Sequence, residues 1–169
     1  EEVLRIPKVA EACIKEWTRL EERGCWDVKG VKSWKQVKKE AGNNTIHVGS
    51  VHDICVEKGS ELPEGHPDRK YKGRVVLLGD RVKDQHGHVA MFEEMSASPA
   101  GLDAAKFCDF YGISKPGHVL MQSDATQAYC QADLGGVATS VRLPEHRQPK
   151  GKDGKSLWKD IDDPVAPLK

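Results

Sequence analysis

Apolar residues recur at Val9, Cys13, Trp17 and Leu20, the spacing of one helical face, behind Pro7 and ahead of Gly24. Proline suits the first helical turn and glycine the C-terminal stop, so the pattern predicts a helix over 7–23. A shorter helix is expected over 33–40, with Ser33 as its cap, Trp34 and Val37 inward, and Gly42-Asn43-Asn44 turning the chain. Two β-rich runs then follow, 51–57 and 72–78, joined by a long loop that carries Gly59, Pro63, Gly65 and Pro67. They predict a hairpin, whose connection reads either as a tip reaching over a cleft or as an ordinary surface excursion.

Farther on, Ser98 caps and Pro99 starts a helix expected to reach Tyr111, with Leu102, Ala105, Cys108 and Phe107 or Phe110 inward and Gly112 ending it. The run His118-Val-Leu-Met121 reads as a strand over 118–124 that ends on Asp124. A short helix over 129–134, a turn at Gly135-Gly136 and a strand over 137–143 follow, the last with Val137, Thr139, Val141 and Leu143 on one face. Residues 151–169, rich in Gly, Pro and charge, are expected to be a loosely packed polar tail.

One segment, Gln122-Ser-Asp-Ala-Thr-Gln-Ala-Tyr129, places a carboxylate at the end of an apolar run with an aromatic five residues on. It resembles the first catalytic motif of reverse transcriptases, and among them the copia-type retrotransposon enzymes. Neighbouring segments occur in that family's order. Glu16-Trp-Thr-Arg-Leu20 with Gly24-Cys-Trp26 resembles the opening helix and its Gly-x-Trp turn. Tyr71-Lys-Gly-Arg-Val-Val76 resembles the finger strand Tyr-Lys-Ala-Arg-Leu-Val. Ser98-Pro99, Ala132-Asp-Leu134 and Val141-Arg-Leu-Pro144 resemble the elements around the motif.

The resemblance implies an α+β chain with a partial right-hand polymerase fold: a fingers hairpin and the N-terminal half of a ferredoxin-like palm. The corresponding division is a helical segment over 1–44, the fingers hairpin over 45–97, a partial palm over 98–150 and the tail over 151–169. Asp124 falls on the catalytic, metal-binding position for Mg2+, and Tyr129 on the gate that excludes a 2′-hydroxyl. Lys72 or Arg74 would bind the triphosphate, as a point charge or as a bidentate fork. The implied partners are an RNA or DNA template-primer, deoxynucleotides and the remaining palm half. The family's second acidic site, Tyr-x-Asp-Asp, does not occur in the sequence, so a fragment inactive alone is expected. A retroelement-derived structural or interaction subunit of a larger assembly, without catalysis, is the rival reading.

Each residue also has a plainer role. Asp124 would cap the following turn, Tyr129 would pack in a core, and Arg74 would pair across a sheet. Asp84, His86 and His88 sit in a polar, Gly-containing loop with no further ligand nearby, where three candidate ligands alone do not make a metal site. Asp160-Ile-Asp-Asp163 mimics an acidic pair and is read as solvated.

The 169 residues suit one domain or part of one, and the formal net charge is zero with 31% of residues charged. No global field draws the chain to nucleic acid, so a basic face must be local. Two sets offer one: Lys29, Lys32, Lys35, Lys38 and Lys39, which also reads as a solvated helix face, and Arg69, Lys70, Lys72, Arg74, Arg81 and Lys83. Five scattered cysteines without a Cys-x-x-Cys argue against structural zinc and disulfides, and for buried thiols in a reducing compartment. No long apolar run or signal-like start is present. A soluble intracellular protein of cytoplasm or nucleus, with no membrane insertion, is therefore expected.

Overall fold

The computed structural model describes residues 6–90, 101–124 and 128–169, with Tyr129 described in its backbone. It is an α+β chain of two compact units. The first joins residues 1–90 to 132–169, and the second spans 91–131.

In the first unit α1, Pro7–Glu22, begins on its proline and buries Val9, Cys13, Trp17 and Leu20, as the spacing predicts. Helix α2, Trp34–Ala41, starts where the Ser33 side chain accepts the Gln36 N–H at 3.2 Å and stops at Gly42, whose φ is 57°. The strands are β1 (Lys32–Ser33), β2 (His47–Lys58), β3 (Lys70–Leu77), β4 (Lys83–Asp84), β5 (Thr139–Arg142) and β6 (Pro164–Pro167). They form a mixed sheet in the order β1-β6-β5-β2-β3, with β4 on β2. Strand β5 runs parallel to β2, pairing His47 with Thr139 through Ser50 with Arg142, and the other pairs are antiparallel.

Strand β2 changes surroundings along its length. At Val48 it is covered by α2, where Trp34, Ile46, Val48 and Val165 make a core cluster joined by Val37 and Ala41. From Val51 to Lys58 it pairs with Leu77 to Lys70 of β3 as the predicted hairpin. There α1 packs on the opposite side of the ribbon: a Cβ on Gly73 would lie 2.5 Å from the Ala12 carbonyl oxygen and 2.8 Å from Cys13 Cα. Trp17 meets Trp26 edge-to-face at 5.0 Å beneath it.

Residues 151–169 depart from the polar tail expected of them. Val165 and Ala166 are fully buried in β6, which lies between β1 and β5, and Trp158 is buried as well. Asp163 receives a two-pronged hydrogen bond from Arg142 at 2.6 and 2.7 Å, so it is a sheet-end brace rather than solvated acid.

The second unit also departs from expectation. Its helix α3, Leu102–Ser114, runs through Gly112 instead of ending there, and Leu120 packs over that glycine. The residues expected inward are exposed, Leu102 and Phe110 each at 70% and Phe107 at 66%, with Ala105 and Cys108 exposed too. Residues 118–124 are irregular chain rather than a strand. A strand needs a neighbour for its ladder, and none is present among the described residues of this unit. The helix expected over 129–134 is one 3-10 turn, Ala128–Cys130. Ser98 and Pro99 lie outside the described residues.

Candidate nucleic-acid interface

Side chains alternate across a strand, so the register of the hairpin sorts its charges between two faces. On the side turned toward α1 stand Asp53, Cys55 and Glu57 of β2 with Tyr71 and Gly73 of β3. On the other side stand His52, Ile54, Val56 and Lys58, paired with Val76, Arg74, Lys72 and Lys70. The residues of this outer face are exposed, except for the half-buried Val76.

Both carboxylates of the hairpin strands are on the α1 side and both are engaged there. Asp53 accepts from Arg147 at 3.0 and 3.1 Å and lies 3.3 Å from His146 Nε2, while Arg147 also sits 5.6 Å from the Trp17 ring centre. Glu57 accepts from Arg69 Nε at 2.8 Å, and Arg69 Nη1 donates to the Leu62 carbonyl at 3.0 Å. The hydrogen bond to Glu57 raises the Arg69 guanidinium further above its ordinary range. Arg69, a candidate phosphate contact in the sequence, is therefore tied to the hairpin connection.

The outer face is left with Lys58, Lys70, Lys72 and Arg74 and no carboxylate. Lys58 stands directly across from Lys70, a like-charge pair that costs up to about 1 kcal/mol until an anion offsets it. Arg74 stands across from Ile54, so the cross-strand ion pair considered for it does not form. Exposed Ile54 and Val56 interleave with the cations and offer apolar contact beside them.

The other basic candidates divide. Lys32 is bound to Glu40 at 2.6 Å, which holds the Glu40 carboxyl below its ordinary range, while Lys35, Lys38 and Lys39 lie on the exposed side of α2. Arg81 lies 3.8 Å from Asp80. Lys58 was missed by the sequence reading, and its signal was the alternation Ile54, Val56, Lys58 continuing one step beyond the predicted strand end.

Asp124 is exposed in the irregular stretch of the second unit, and Tyr129 lies in the 3-10 turn that follows. Residues 125–127 lie outside the described residues. Asp84, His86 and His88 form a turn: the Asp84 carboxylate accepts the backbone N–H groups of His86 at 2.8 Å and His88 at 2.9 Å. Burial works to raise the Asp84 carboxyl, but the His88 and His86 donors outweigh it and hold it below the ordinary range. Among the described residues no group of three His, Cys, Asp or Glu is placed to hold a metal ion. Nor is any helix there long and apolar enough to cross a membrane. Comparison with family models, curated proteins and solved structures finds no match.

Proposed function

We propose that the chain supplies the fingers hairpin and the first metal-binding aspartate of a copia-type retrotransposon reverse transcriptase, an RNA-directed DNA polymerase. The observation that carries this reading is the outer face of the hairpin, where Lys72 and Arg74 project from the strand that resembles the family's finger segment and neither strand places a carboxylate beside them. A row of exposed cations beside apolar side chains suits a phosphodiester backbone, with phosphates neutralised and counterions released. In this reading the ligands are template-primer and deoxynucleotide. Lys72 or Arg74 takes the triphosphate, and Tyr129 excludes a 2′-hydroxyl.

Magnesium would supply the Lewis acidity for nucleotidyl transfer, and Asp124 offers the hard oxygen ligand it prefers. One exposed carboxylate does not make a two-metal site, so no polymerisation step is assigned to this chain alone. The complementary acidic site belongs, in this reading, to the remaining palm half. The rival reading, a catalytically silent interaction subunit, is favoured by α3, which presents Leu102, Phe107, Phe110 and Ile113 to solvent.

Binding of a fluorescent RNA–DNA primer-template between 50 and 200 mM salt tests the proposal. Each lost phosphate contact flattens the logarithmic salt slope by about 0.7–0.9. Changing Lys72 and Arg74 together to Ala is expected to lower the slope by up to about 1.4–1.8, while Lys152→Ala with Lys155→Ala leaves it unchanged. Absence of salt-sensitive binding, or equal effects of the two pairs, makes the interaction-subunit reading the better one.

A further inference from the structure

We propose that Cys13 and Cys55 form an oxidisable dithiol, a modification site that a hydroperoxide entering the cavity beside β2 closes to a disulfide between α1 and the hairpin. Three independent features of the first unit converge on this pair.

The first is backbone proximity. Cys55 is on the α1 side of β2, directly across from Gly73, and a Cβ on that glycine would be 2.8 Å from Cys13 Cα. Helix and ribbon thus lie against each other where each carries a thiol, and Cys55 is near enough to act on the Cys13 thiol. The second is access. A cavity of about 570 Å3 is lined by both cysteines together with Ser50, Asp53, Ile54 and His146. It follows the part of β2 beyond Ser50, where pairing with β5 has ended. The third is asymmetry. Cys13 is buried, 2% exposed, whereas Cys55 is half-buried. The more accessible Cys55 is therefore the thiol that meets the oxidant, while burial, then the neighbouring Cys55 and Asp53, push the Cys13 thiol up.

The chemistry balances in two steps. The Cys55 thiolate attacks one peroxide oxygen, forming an S–O bond as the O–O bond breaks and hydroxide leaves. Cys13 sulfur then attacks the Cys55 sulfenic acid, forming the S–S bond as the S–O bond breaks and water departs with the Cys13 proton. In sum two thiols and hydrogen peroxide give one disulfide and two waters. The sulfurs lose two electrons and the peroxide gains them.

The test treats the full chain with hydrogen peroxide, alkylates the remaining thiols and maps the peptides without reduction. The expected product joins the Cys13 and Cys55 peptides in most of the cross-linked material, against about a tenth if two of the five cysteines paired at random. Dithiothreitol should reverse it, and the preference should vanish in denaturant. A chain carrying Cys25→Ala, Cys108→Ala and Cys130→Ala should still form the link and melt at a higher temperature once oxidised. Oxidation of the folded chain to Cys55 sulfinic acid without the link, or the same pairing pattern in folded and denatured chain, would overturn the proposal.

Discussion

Replacing Gly73 by Ala adds one methyl group where helix α1 backbone lies against the ribbon. The new carbon would stand 2.5 Å from the Ala12 oxygen and 2.7 Å from its carbonyl carbon, where ordinary contact begins at 3.4 Å. Because the obstruction is helix backbone rather than a side-chain tip, α1 must retreat by about 0.9 Å, loosening Val9, Cys13, Trp17 and Leu20 together. Overpacking of this kind costs about 1–3 kcal/mol. Gly73 has no positive φ, so alanine also restricts the unfolded chain and offsets about 0.4–1 kcal/mol of that cost. The net expectation is a loss of about 1–2 kcal/mol, a melting point lower by about 2–8 °C, with an unchanged urea m-value. Gly79→Ala is the matched control, since nothing lies within 4 Å of its added carbon and its φ is not positive; it should be neutral or slightly stabilising. The family segment that 71–76 resembles carries alanine at this place. Equal stability of the two variants would refute a helix pressed on the ribbon at Gly73.

Further expectations are open to the same measurements. Asp53→Asn removes the carboxylate hydrogen-bonded to the largely buried Arg147 and should cost about 3 kcal/mol in urea unfolding, well above Asp80→Asn at the exposed Arg81 pair. Arg142 holds the Asp163 carboxyl below its unfolded value, so the pair stabilises above the unfolded pKa of about 3.9 and is lost as pH falls through the lower folded one. Asp163 is 40% exposed, which limits the term to under about 1 kcal/mol, and Arg142→Gln should flatten the stability profile in that acid window. Ser33→Ala should cost about 1 kcal/mol through the α2 cap, and Val165→Ala about 1–3 kcal/mol through the cavity it leaves among Trp34, Ile46 and Val48.

The helices over 7–23 and 33–40 were legible because each repeats its apolar face behind a proline or serine start, and the hairpin because its alternation is long and bounded by Gly and Pro. Strand β6 was not legible. Pro164-Val-Ala-Pro167 is short and flanked by prolines, which argues against a strand between two others. It works because the prolines occupy the two ends and only Val165 and Ala166 lie wholly inside. The run over 118–121 failed in the opposite way, since apolar composition favours a strand only where a neighbour completes the ladder. The basic face was half legible. Its residues could be named, but which of them were unpaired depended on Arg69, Asp53 and Glu57 finding partners far along the chain or around a long loop.

The placement of β6 has a consequence for the order in which the molecule is made. Among the described residues strand β1, near residue 32, has only β6, near residue 165, as its ladder partner, and β5 meets β2 across some ninety intervening positions. On a ribosome α1, α2 and the hairpin emerge early and build local contacts, but β1 must wait until 164–167 clear the exit tunnel. Such distant pairing makes closure the slow event, with Trp34 and Val48 exposed meanwhile to chaperones or to other nascent chains. A ribosome stalled after Arg142 should therefore hold a protease-resistant helix–ribbon piece and an unfinished sheet.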